Sequence, residues 1–213
     1  MSKTKIAIQG ELGAYSHIAA ESLYKEAEIK TCATFEETFK HAYKDQNFKI
    51  VIPIENSLAG RVADIHYLLP KYKLQIHGEH FQAVEHNLLC KQEASIDDIK
   101  FVRSHAQAIG QCQNMINKRK FKPIISADTA GSAKDLAEGE DKSIAAIASE
   151  LSAKIYNLKI LEKNIEDEKG NVTRFLIMGK NIEQPEFSKN KKFITSCIFR
   201  VKSEPSALYK CLG

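Results

Sequence analysis

Between Lys5 and Leu161 short apolar runs alternate with stretches of helical period, and this alternation constrains the fold more than any other feature. Strand-length apolar runs that each feed a helix mark βα units, which wind into a largely parallel sheet. "KIAIQG" reads as a strand opening through "ELGAYS" into a helix that begins near Ser16, with Ile18, Ala19, Ser22 and Leu23 spaced to cover one face. In "TFEETFKHAY", Thr34 and Glu37 have capping-box spacing, which fixes a helix start after a strand ending near Ala33. "FKIVIPIENS" is the next strand, stopped by Pro53 and the polar Glu55, Asn56 and Ser57 before a helix that runs to about Leu69.

The pattern then changes. "LQIHGEHFQAVEHNLLCK" is extended, too long for one strand and without helical period, so it reads as a crossing between two lobes. A second set of βα units follows: "KFVRSH" leads to "AQAIGQCQNMINKRK", "KPIISAD" to "TAGSAKDLAEG", and "KSIAAIAS" to "ELSAKIYN". "LKILEKNIED" and "NVTRFLIMGK" are extended again, and the simplest closure returns both to the first lobe. The expectation is a two-lobed α/β region over residues 1–180, with lobe 1 at about 1–80 and 160–180 and lobe 2 at about 81–159. Asn181 to Lys192 is polar, contains Pro185 and reads as a linker. Residues 193–213 then read as a strand, "FITSCIFRV", and the first turns of a helix, the beginning of a further domain.

Charge narrows the partners. The 31 basic and 27 acidic residues give a formal +4 with no arginine-rich stripe interleaved by aromatics, so nucleic acid is not an expected partner. "NKRKFK" reads as a solvated helix end that complements the macrodipole. No run approaches the ~18 apolar residues of a membrane span, and the apolar run after the first lysines is too short for a signal peptide, so the cytoplasm is the expected location. Cys32, Cys90, Cys112, Cys197 and Cys211 show no CxxC and no matching histidine spacing, which predicts buried free thiols and no metal.

In open parallel sheets ligands sit where strand C-terminal ends meet helix N-termini, whose free N–H groups suit carboxylates. "GAYS", "ENSLAG", "SHAQ" and "TAGSA" are such starts, and together with Thr173 and Arg174 at the mouth of the closing strand they favour a small anion with more than one acidic group. Asn56, Ser57, Ser104, Thr129 and the backbone around Gly131 and Ser132 are the expected donors. No GxGxxG, GKS/GKT or GxSxG motif points to nucleotide binding or a nucleophile elbow. His86 reads either as a hydrogen-bonded structural histidine or as a catalytic one. Adjacent strand residues face opposite ways, so Thr173 and Arg174 address one ligand only if the strand starts irregularly. Otherwise Arg174 orients from beside the site, or forms an ion pair with an acidic residue such as Glu166 or Asp167. Phe175 shares the face of Thr173 and is expected to wall the pocket.

"PIENSLAGRVADIHYLL", "VEHNLL", "VRSHAQAIGQC", "DTAGSAKDLA", "AAIASELSAKIYNLKIL" and "NIEDEKGNVTRFLIMG" together resemble the prephenate dehydratase family over roughly Lys5 to Lys180. The resemblance implies a two-lobed catalytic region like that of type II periplasmic binding proteins. It further implies neither metal nor organic cofactor, and a carbon–oxygen lyase reaction converting prephenate to phenylpyruvate in phenylalanine biosynthesis. Thr173 matches the family's catalytic hydroxyl, with Glu55 as the second candidate for general acid and an ordinary helix-capping carboxylate as its other reading. Phe193 to Gly213 resembles the start of an ACT domain, with "EPSAL" where the family has Pro-Gly-Ala-Leu and Ser206 in place of the glycine. A complete ACT domain implies phenylalanine as effector, and the family implies a homodimer or homotetramer. The alternatives are arogenate dehydratase, whose substrate bears an amino in place of a keto group, and a non-catalytic small-anion-binding module on the same architecture.

Overall fold

The computed structural model describes residues 3–180, 186–193 and 199–213. It divides into two compact units, Met1–Ile182 and Glu183–Gly213. In the first unit the chain makes β1 (Lys5–Gln9), α1 (Tyr15–Leu23), β2 (Glu28–Cys32), α2 (Phe35–Lys44), β3 (Phe48–Asn56), the two-residue β4 (Gly60–Arg61), α3 (Ala63–Tyr72) and β5 (Gln75–Ala83). It then makes β6 (Asn87–Cys90), β7 (Phe101–His105), α4 (Ala106–Gly110), α5 (Gln113–Arg119), β8 (Lys122–Ser126), α6 (Thr129–Glu138), β9 (Ile144–Ala148), α7 (Glu150–Ile155), β10 (Lys159–Glu162) and β11 (Val172–Gly179).

Two sheets result, in the orders β2-β1-β3-β11-β5 and β10-β6-β9-β7-β8, with β4 paired to the edge of β3. The βα-wound strands run parallel, while β11 lies antiparallel between β3 and β5, and β6 lies antiparallel to β9. Each sheet is covered on both faces, which is why its strands read as near-continuous apolar runs. On the first sheet Ile6, Ile8, Val51 and Phe175 pack with Ala19 and Ala20 of α1, while Ala7, Ile50 and Ile52 pack with Phe39, Ala42, Ile65 and Leu68 of α2 and α3. On the second, Leu88, Val102 and Ile147 meet Ile109, Cys112 and Ile116, and Leu89, Ala146 and Ala148 meet Ala133, Leu136 and Ala153.

The chain passes between the sheets twice, after β5 and before β11. The segment "LKILE" departs from expectation: β10 pairs with β6 in the second sheet, where Ile160 faces Leu89, so the return to the first sheet begins only after Glu162. Its apolar side chains extend a core already at hand in the second lobe. "ENSLAG" is not a helix start either. Asn56 Oδ1 accepts the backbone N–H groups of Leu58 and Ala59, at 3.0 and 2.8 Å, folding the chain into a hairpin with β4 before α3 begins at Ala63. Thr34 caps α2 as its spacing predicts, accepting from the amide of Glu37 at 3.1 Å.

In the second unit α8 spans Ala207–Leu212. Ser206, at φ +62°, caps it in the left-handed region that favours glycine. Ile194 to Ile198, the centre of the expected strand, and Asn181 to Pro185 of the expected linker lie outside the described residues. Among the described residues no helix is long and apolar enough to cross a membrane.

Candidate functional site

A cavity of about 500 Å³ lies between the two sheets. The first sheet and its helices bring Gly10, Tyr15, Asn56, Thr173 and Phe175 to its wall, the second brings His105, Gln111, Asp128 and Thr129, and the crossings bring Val84, His86 and Asn171. Register explains who faces it. Thr173 stands opposite Asn56, and Arg174 opposite Glu55. Directly opposed residues share a face, so the first pair turns toward the cavity and the second pair turns away.

Arg174 therefore does not supply the cation expected at this site. Its guanidinium pairs with Glu55 at 3.1 Å and with Glu79 at 2.7 Å, tying β3, β11 and β5 together. These hydrogen bonds, Glu55 first, raise its pKa against a smaller effect of burial. The partners are neither Glu166 nor Asp167. Glu166 accepts the backbone N–H of His86 at 3.0 Å, and the carboxylate of Asp167 caps α5 through the amide of Asn114 at 3.1 Å. Glu55, with its side chain about half exposed, does not line the cavity.

Several expected donors are spent within the fold. Ser57 Oγ accepts from the amide of Val172 at 3.0 Å. Ser104, fully buried, donates to the carbonyl of Ile147 at 2.7 Å. The amide of Gly131 is taken by Asp128 Oδ1 at 2.6 Å, and Ser132 donates to the carbonyl of Asp128 at 2.7 Å. Thr129, Asn56, Phe175 and Thr173 do line the cavity.

Around Thr173 the polar side chains form one connected path. Asn56 Nδ2 donates to Thr173 Oγ1 at 2.9 Å and to Asn171 Oδ1 at 2.6 Å. Asn171 Nδ2 donates to Gln111 Oε1 at 3.0 Å, and that oxygen lies 2.9 Å from Nε2 of His86. On the far side His86 Nδ1 lies 3.1 Å from the hydroxyl of Tyr15, which also reaches the carbonyl of Glu85 at 2.6 Å. Amide orientation along the path is settled by the hairpin, since the oxygen of Asn56 already accepts two backbone N–H groups. Thr173 consequently accepts at its oxygen and keeps its own proton for the cavity. Burial pushes the His86 imidazole down, against smaller upward effects of the Gln111 bond and Glu166. Burial holds the Tyr15 phenol well above its ordinary value, with Glu166, Cys112 and Glu85 adding to it.

Gln111 reaches the cavity because the expected single helix after β7 is broken. Its carbonyl accepts the amide of Asp167 at 2.6 Å, and α5 restarts at Gln113. Cys112 beside it is fully buried in the core, as its place in the sequence predicts. Tyr15, Gln111 and Asn171 carry no sequence motif of their own. Arg61, exposed on the hairpin, also lines the cavity and has no ion-pair partner among the described residues. Elsewhere Cys32, Glu37 and His41 bring ligating atoms within 4.8 Å of one another, and none of the three lines the cavity.

Comparison with known proteins gives the family of the whole fold. The family model described as prephenate dehydratase matches residues 6–183. "Arogenate dehydratase/prephenate dehydratase 2, chloroplastic" of Arabidopsis thaliana is 39% identical over 212 residues, covering 100% of this chain and 55% of that protein. The chain thus spans about half the length of this relative. The "bifunctional N-acyl-homoserine lactone acylase/prephenate dehydratase" of Komagataeibacter europaeus is 38% identical, covering 98% of this chain and 74% of that protein. The solved prephenate dehydratase of Staphylococcus aureus superposes with a TM-score of 0.72 at 29% identity, covering 87% of this chain and 69% of that one. By its sequence, its two wound sheets and the crevice between them, the chain belongs to the prephenate dehydratase family.

Proposed function

We propose that this chain catalyses the decarboxylating dehydration of prephenate to phenylpyruvate, a carbon–oxygen lyase reaction, with Thr173 as its catalytic residue. The observation that carries the reading is the direction of one hydrogen bond: Thr173 Oγ1 accepts from Asn56 Nδ2 at 2.9 Å, so the hydroxyl proton is uncommitted where the cavity opens. Prephenate, a dianion, loses carbon dioxide and hydroxide to give the phenylpyruvate monoanion, and one proton converts the hydroxide to water. Aromatisation drives the reaction, and the poor leaving group limits it. A positioned donor whose bond strengthens as charge develops on the departing oxygen lowers that barrier at no cost of reorganisation. A threonine hydroxyl is too weak an acid to surrender its proton outright at neutral pH, so hydrogen bonding is the role of Thr173.

The remaining wall fits a molecule with two carboxylates. Arg61 offers a free guanidinium at the rim, and the carboxamide nitrogen of Gln111 has no partner among the described residues. Thr129 adds a hydroxyl at the start of α6. Phe175, 2% exposed, backs the apolar part of the wall from the core beneath α1. The assay is the appearance of phenylpyruvate absorbance in alkali after incubation with prephenate, with arogenate as the parallel substrate. Thr173→Ala is expected to lower kcat by about 10²–10³ at equal folded concentration, the cost of one oxyanion donor, while Thr173→Ser retains most of it. An Ala variant with unchanged turnover overturns the reading.

A further inference from the structure

The path from Asn56 to Tyr15 contains a contradiction. From the Asn56 end, the hairpin amides fix Asn56 Nδ2 as donor, hence Asn171 Nδ2 as donor to Gln111 Oε1. An amide oxygen can only accept, so the 2.9 Å contact between Gln111 Oε1 and His86 needs a hydrogen on Nε2. From the other end, the carbonyl of Glu85 can only accept, so the single proton of Tyr15 is used in that 2.6 Å bond. The phenol oxygen is then an acceptor toward His86, and the 3.1 Å contact needs a hydrogen on Nδ1. A neutral imidazole carries one of these hydrogens and leaves the other contact empty. Only the imidazolium satisfies both.

We propose that His86 is the proton-linked positioning residue of this site: an entering anionic ligand draws one proton from solvent onto its ring. The imidazolium then completes the path at both ends and adds a positive charge to the cavity wall. The ligand's identity rests on the function proposed above; the direction of the path does not. Burial opposes the second proton, and an anion in the cavity supplies the compensating charge. The groups that face the ring are few. Tyr15 comes from α1 with its ring edge-on at a centroid distance of 5.9 Å, Glu85 from the same crossing, and Glu166 from the other crossing through the backbone N–H of His86. Gln111, with Cys112 beside it, comes from the junction of α4 and α5. When the ring is neutral its fixed Nε2–H holds the oxygen of Gln111, which leaves that carboxamide's NH₂ for the ligand.

The test is nitrogen NMR of the histidine ring in the full chain, titrated with pH alone and with saturating phenylpyruvate. The expected result is a neutral Nε2–H tautomer in the free protein and a rise of at least one pH unit in the His86 ionisation with phenylpyruvate. A free Nδ1–H tautomer, or a His86 signal that phenylpyruvate leaves unmoved, overturns the proposal. Kinetics separate positioning from mere packing. His86→Gln, whose amide can donate from the place of Nε2, is expected to keep kcat within about tenfold and to lose the rise of kcat/KM for prephenate toward acid, whereas His86→Leu loses both. His86→Gln with the wild-type pH profile sinks the idea. A wild-type protein inert toward prephenate refutes the proposed function instead, and the tautomer measurement still decides this inference.

Discussion

At the scale of single residues, the hydrogen bond received by Thr173 and the ion pairs held by Arg174 divide two neighbours between the cavity wall and the ties that join the strands. Glu55 falls among the ties with Arg174, so Glu55→Gln is expected to change kcat by no more than about threefold, the value being set by the ordinary modest coupling of half-exposed ion pairs. Steady-state rates at matched folded concentration check this, and a hundredfold loss would return Glu55 to the role of acid. The alternation of faces along a strand was legible beforehand, and it raised the question correctly. The answer was not, because the partner of Arg174 depends on which strand lies opposite, and Glu79 is 95 residues away in sequence. Arg61 and Asn171 escaped notice for a similar reason: nothing in their local pattern distinguishes an arginine or asparagine in a turn from solvated surface.

At the scale of elements, the order of strands and helices could be read from apolar runs and caps, whereas the points where elements stop could not. The long helical period after β7 gives no hint that an amide from residue 167 will take the carbonyl of Gln111 and split it. The same holds for serines at strand ends. Ser104 looks like a ligand donor from sequence, yet it ties β7 to β9 through the carbonyl of Ile147. Ser104→Ala is therefore expected to cost about 1–3 kcal/mol of stability, by stranding a buried acceptor, with its first effect on thermal midpoint and not on KM. Differential scanning calorimetry beside initial rates distinguishes the two, and a raised KM at unchanged midpoint would make Ser104 a ligand contact after all.

Across the whole molecule, the lobes are fastened at the loop between β1 and α1. The carbonyl of Gly13 accepts from Ser149 at 2.6 Å and Ser152 at 3.1 Å, the carbonyl of Leu12 accepts from Tyr156 at 2.9 Å, and Glu11 pairs with Lys134 at 3.2 Å. His17 braces the loop from behind, its Nδ1 accepting the amide of Gly13 at 3.0 Å. Burial lowers the pKa of His17 and of His77 and His86, so the folded protein binds fewer protons at these rings than the unfolded chain. Their contribution is complete above the ordinary value of 6.5 and is lost as pH falls below it, so unfolding free energy should rise with pH on the acid side of that value. Denaturant titrations across that range check the slope, and His17→Gln should flatten it.

Gly13 has a further consequence. A methyl group at that position would meet the backbone of Ser152 at 2.8 Å and collide with its hydroxyl, and the backbone there sits at φ +90°. The two lobes meet this closely at the loop because one residue has nothing to put between them, so the smallest possible side chain at position 13 would act as a doorstop, holding Thr173 and the wall it faces farther apart.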